Sequence, residues 1–158
     1  MFLTIHGSAA ILISEQTNSI YLAFILGFIS HFILDFLPHE NNRLKKWVKD
    51  KNEIKKYFFL ALADFSLLSI ITAILFYKLT FANPWIIITG IFGSILPDIL
   101  WGIHKVTKWK FLKKYHDFHS WIHSIWEPDL KPYQVVILQG GLLILFLSII
   151  IITKNGFV

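Results

Sequence analysis

The chain has 158 residues, 55% of them hydrophobic and only 16% charged, and its mean hydropathy is +0.60. Soluble domains carry about 25% charged residues and disordered segments are far less apolar, so both classes are excluded. The absence of cysteine removes disulfides and thiolate metal sites. The length suits one domain, and the composition makes it a single membrane-embedded, all-α unit over residues 1–158. It is basic all the same, with 15 Lys and Arg against 10 Asp and Glu, and it holds seven histidines.

A helix needs about 20 apolar residues to cross the hydrocarbon core. The first apolar run, about 2–14, covers only about 20 Å as a helix, so a short span, a re-entrant helix and an interfacial helix are all open to it. It lacks a basic leading segment and a small-x-small site before Glu15, which argues against a cleaved signal peptide. The second helix is expected over about 19–37, with His31 and Asp35 in an otherwise apolar run. The third, about 57–78, carries Asp64, and the fourth, about 84–103, carries Asp98. A segment at about 112–126 has amphipathic spacing and is expected to lie in the interface. The last helix, about 133–153, has no charge in its apolar run. The expected architecture is a bundle of four to five transmembrane helices plus the interfacial amphipathic helix.

The basic residues give the orientation. Arg43, Lys45, Lys46, Lys49, Lys51, Lys55 and Lys56 fall in one connection, and Lys105, Lys108, Lys110, Lys113, Lys114 and Lys131 in another. Only Lys78 and Lys154 lie elsewhere. Alternate loops share a side, and the positive-inside rule makes that side cytoplasmic. The expected location is a bacterial or archaeal cytoplasmic membrane. Lipids with anionic headgroups would meet the basic loops, each Lys or Arg contributing about 1 kcal/mol near the surface. That accounts for the charge without nucleic acid.

An ionisable residue inside a span is costly, about 2.5–3.5 kcal/mol for Asp at the helix centre. Asp35, Asp64 and Asp98 all fall in the cytoplasmic half on this topology, as does His31. His6 joins them if the first helix spans with its N-terminus inside. The strongest local motif is His31-x3-Asp35-x3-His39, because spacing of four stacks side chains on one helix face. Imidazole and carboxylate so placed can grip one divalent ion, or His31 can simply hydrogen-bond Asp35. Pro38 is expected to end the regular helix and leave His39 free of that face or near the headgroups. In Ile95-Leu-Pro-Asp98 the proline should kink the helix, free backbone carbonyls and turn the acid inward. In His116-Asp-Phe-His119-Ser-Trp-Ile-His123 the three histidines form one helical stripe, and Asp117 is either solvated or a support for a ligating histidine. Asp64 is the least specific: a ligand, a base, a partner for a ligating histidine, or a hydrogen-bonding residue of the bundle interior. His104 is expected at the headgroups. Gly7, Ser8, Ala9 and Ala10 would let another helix pack closely. One weak echo remains. Gly27 and Gly90 each precede an acid, Asp35 and Asp98, by eight residues, either as the trace of a repeat or by coincidence.

These motifs resemble a family. His6-Gly7, Ile95-Leu-Pro-Asp98, His116-x2-His119-Ser with His123-Ser124, and Gly27-Phe-Ile-Ser-His31-x3-Asp35 look like the elements of the YdjM-like inner-membrane metal-dependent hydrolases. The His-x3-Asp element is also similar to the metal-binding helix of zinc-dependent phospholipase C. Two departures stand out: Ser-His-x3-Asp here precedes Leu-Pro-Asp, and the first dipeptide is His-Gly rather than Gly-His. The resemblance implies a metal-dependent hydrolase without fixing a substrate.

The expected activity is hydrolysis of a membrane-associated phosphoester or ester by metal-activated water at the cytoplasmic interface. The expected cofactor is one or two divalent ions, Zn2+ first and Mn2+ or Fe2+ next, since imidazole and oxygen donors without thiolate suit these. Candidate ligands are His6, His31, Asp35, His39, Asp98, His116, His119 and His123, with Asp64 as the candidate catalytic group. The rival readings are a divalent-metal transporter or transporter subunit, and a non-enzymatic membrane scaffold.

Overall fold

The structure is a computed structural model that describes residues 1–38, 53–126 and 130–155. Among these residues there are six α-helices and no strand. They are α1 Leu3–Ser14, α2 Ile20–Asp35, α3 Glu53–Lys78, α4 Pro84–Thr107, α5 Lys113–Ile125 and α6 Pro132–Asn155. A single 3-10 turn, Lys110–Leu112, joins α4 to α5.

Local chemistry sets the ends. The Ser19 hydroxyl accepts the Leu22 amide at 3.3 Å to open α2. Asn83 accepts the Trp85 amide at 3.0 Å, and Pro84 takes the first position of α4, where its missing N–H costs nothing. Lys108, with φ of 55°, closes α4 in the left-handed region, its amide bonding the His104 carbonyl at 2.8 Å. That is the usual way to satisfy a terminal carbonyl.

Helices α3, α4 and α6 are long and apolar enough to cross a membrane. Their outer faces leave Phe58, Phe59, Ile137 and Ile152 exposed. Helix α2, with 16 residues, rises about 24 Å and α1, with 12, about 18 Å, against a hydrocarbon core of about 30 Å. Among the described residues three helices have span length, and the two shorter apolar helices pack with them. Helix α3 starts four residues before the expected point and α4 runs four beyond it.

Helix α1 occupies the centre. It touches α2, α3, α4 and α6, and Thr4 to Ile11 are all buried. A helix enclosed on every side needs no polar face, which is why this run shows no clear amphipathic stripe. The small residues work as expected: a Cβ on Gly7 would strike the Leu68 side chain. The buried N-terminal end of α1 has amides that need acceptors. Asp64 on α3 supplies them. Its carboxylate accepts the Leu3 amide, the Thr4 amide at 3.2 Å and the Thr4 hydroxyl. Gln139 on α6 accepts the Phe2 amide at 3.1 Å. Asp64→Ala should therefore lower stability by about 1–3 kcal/mol, the cost of leaving buried donors unmet, read as a lower Tm in detergent. An unchanged Tm would remove this role.

Helices α2 and α4 run in the same direction and pack through glycine. A Cβ on Gly27 would meet the Gly90 carbonyl oxygen, and one on Gly93 would meet the Phe24 carbonyl oxygen. Eight residues beyond each of the facing pair, Gly27 and Gly90, stand Asp35 and Asp98. Equal rise, about 12 Å on each helix, brings the two acids to one level. The sequence echo is thus a matched register between parallel helices. The opposite end of the bundle is closed by an apolar cluster of Ile11, Leu75, Phe81, Ile87 and Ile150, and by the Glu15–Lys154 ion pair.

Candidate metal centre

At the level of the two acids, one donor atom from each of His31, Asp35, Asp98 and His119 lies within 4.8 Å of all the others. Three helices contribute: α2 gives His31 and Asp35 one turn apart, α4 gives Asp98, and α5 gives His119. The His31 Nε2 atom is 2.9 Å from Asp35 Oδ2, 3.1 Å from His119 Nε2 and 3.8 Å from Asp98 Oδ1. His119 Nε2 is 3.5 Å from Asp98 Oδ1 and 3.7 Å from Asp35 Oδ2.

The other nitrogen of His31 decides its tautomer. Nδ1 lies 2.7 Å from the Ser94 carbonyl oxygen. A carbonyl only accepts, so Nδ1 carries the proton and donates it. In the neutral ring, the Nε2 lone pair then faces the cluster. A backbone carbonyl that orients an imidazole from behind is the common support of a ligating histidine. Helix α4 is continuous through Pro97, which has no amide for the Gly93 carbonyl. The carbonyl used by His31 is the next one along.

His119 is buried, and its Nδ1 has no hydrogen-bond partner among the described residues. Burial first, then the neighbouring His123 and His31, push its imidazole down to about 3. It is therefore neutral at physiological pH, the form that can donate a lone pair.

Two further histidines border the group. His123 Nε2 is 3.0 Å from Asp35 Oδ2. His6 Nε2 is 3.2 Å from Asp35 Oδ1, and the His6 ring stacks on His31 at 4.1 Å. The Met1 nitrogen is 2.9 Å from the same Oδ1. Each oxygen of Asp35 thus faces imidazole.

The remaining candidates lie elsewhere. His116 turns away on α5, stacked on Trp101 at 5.7 Å and 4.6 Å from His104, with Nδ1 3.3 Å from Asp117. His104, expected at the headgroups, is buried and donates from Nδ1 to the Trp109 carbonyl at 3.0 Å. Asp64 spends its oxygens on α1, so of the readings open to it the contacts match the interior hydrogen-bonding one. His39 lies outside the described residues.

Sequence spacing missed Tyr115. The stripe of α5 that turns toward the cluster is Tyr115, His119 and His123, at i, i+4 and i+8, not the i, i+3, i+7 set that begins at His116. Burial, then Asp98 and Asp35, raise the Tyr115 phenol above its ordinary value. Helix α5 is held in place by the Trp101 indole N–H donating to the Ser120 hydroxyl at 3.2 Å. Edge contacts from Phe32 to Phe118 and His119 add to this.

The donor set fits a small divalent ion. Four tetrahedral ligands about 2.0–2.2 Å from a shared ion stand about 3.3–3.6 Å apart; the five His–Asp and His–His separations given above run from 2.9 to 3.8 Å, and all four atoms lie within 4.8 Å of one another. Comparison with protein-family models, with curated proteins and with solved structures finds no match to this chain.

Proposed function

We propose that this chain is a membrane-embedded metal-dependent hydrolase. The observation that carries the reading is the convergence of His31, Asp35, Asp98 and His119 donor atoms within 4.8 Å. These four residues would hold a divalent ion, Zn2+ first and Mn2+ or Fe2+ next, with His123 and His6 beside them and room in the donor set for one ion or two. When bound, such an ion supplies a Lewis acid and lowers the pKa of its water to about 7. The protein's part is to fix the imidazole tautomers, to shield the centre from the apolar side and to leave it open at Asp98. The motif resemblance to the YdjM-like hydrolases supports hydrolysis over transport. So does the apolar cluster that closes the opposite half of the bundle, since a cation path needs polar relay groups on both sides.

On this reading α1 and α2 complete a bundle of four to five membrane-embedded helices, with the basic connections cytoplasmic and α5 at the headgroup level. The substrate is a membrane-associated phosphoester or ester reached from that side, and anionic lipids are the neighbours of the lysines.

Metal analysis of the purified full chain tests this directly. Near-stoichiometric divalent metal is expected in the wild type and in His116→Ala, with a loss of at least tenfold in affinity in His119→Ala. A wild type without metal, or a His119→Ala protein that retains it, overturns the proposal.

A further inference from the structure

The Tyr115 side chain is the one polar group on the inward stripe of α5 that the metal reading leaves unused. Its ring lies 6.1 Å from the His119 ring, one helical turn before it. Its hydroxyl is buried and has no hydrogen-bond partner among the described residues. A buried phenol ordinarily finds one. Tyr115 shares the face of α5 that carries His119 and His123, four and eight residues further on. Of the four converging residues, Asp98 is the most open, its side chain 28% exposed against 0% for His31 and 3% for His119. Asp98 is therefore the member of the four through which the centre is reached most directly. Lys113 and Lys114 immediately precede Tyr115 on the exposed surface.

We infer that the Tyr115 hydroxyl is a substrate-contacting hydrogen-bond donor, which meets a non-bridging oxygen of an anionic tetrahedral group, a phosphoester in the first place, seated beside Asp98. The inference rests on the hydrolase reading. An O–H that has no partner in the resting protein is oriented in advance toward a charge that arrives with the substrate, the arrangement that makes such donors effective. A phosphoryl oxygen is the acceptor that fits, because a hydroxyl donates most strongly to a charged oxygen. The competing account is a buried water that satisfies the phenol and touches nothing else.

The experiment uses the full chain in detergent, loaded with Co2+ as a spectroscopic probe and titrated with inorganic phosphate. Metal content is measured first. Tyr115→Phe removes only the hydroxyl. It is expected to keep metal content and circular dichroism unchanged while weakening phosphate binding about 10- to 100-fold, the loss typical of a hydrogen bond to a charged group. Turnover of bis(4-nitrophenyl) phosphate should fall in parallel. A metal-loaded wild type that binds no phosphate overturns the inference, as does a Tyr115→Phe protein that binds it equally well, which is the outcome a buried water predicts. A wild type without metal overturns the hydrolase reading, and with it the phenol's role.

Discussion

Asp35→Ala and Asp35→Asn are both expected to weaken metal binding by more than 100-fold. Losing a group one step removed from an ion costs about 10- to 100-fold, and on the proposed function Asp35 is itself a ligand. Its Oδ2 lies 2.9 Å from His31 and 3.0 Å from His123, and its Oδ1 3.2 Å from His6. Three imidazoles thus meet one carboxylate. Both variants remove the negative charge among those rings, and alanine removes the polar group as well, so its Tm in detergent should fall. Asparagine keeps the shape, and its Tm should fall less, which separates lost ligation from lost fold. Competition against a chelator gives the affinities. Retention of metal by the asparagine variant would mean that the carboxylate is not a ligand.

Gly27→Val should produce the second large effect, at a position about 12 Å from the acids. A Cβ there runs into the Gly90 carbonyl oxygen, a backbone atom that cannot rotate away. The expected cost is about 1–3 kcal/mol from overpacking, and the helices must part to accommodate it. Because Asp35 and Asp98 sit on the two helices being parted, metal affinity should fall together with Tm. Gly102→Ala is the control, since a Cβ there meets nothing within 4 Å. A Gly27→Val protein with wild-type Tm and metal content would show that the close approach is not what sets the acids in register.

The helices were legible because apolar runs of span length and capping residues such as Ser19, Asn83 and Pro84 mark them in the chain itself. The pair His31 and Asp35 was legible for the same local reason, since four residues is one helical turn. Legibility stops where position depends on a neighbour. The stripe on α5 read from His116 is geometrically sound, but the His116 ring stacks on Trp101 of α4, and Tyr115 stands in its place beside His119 and His123. Asp64 carries no local mark of its task, because the amides it accepts belong to a helix 60 residues away in sequence. The burial of α1 is equally invisible, since a run with no polar face can be enclosed by protein or by lipid. The echo between Gly27 and Gly90 becomes informative only once the two helices are seen to run parallel.

The central place of α1 sets the order of assembly. It is the first helix in the chain, yet its enclosure needs the last: the Phe2 amide meets Gln139 across 137 residues. At about 18 Å it is too short to rest across a bilayer by itself, and two of the bundle's acids depend on where its N-terminal end comes to lie. Contacts this distant in sequence close late and slowly. The enclosure of α1, and with it the place of His6 beside Asp35, therefore depends on a contact that spans most of the sequence.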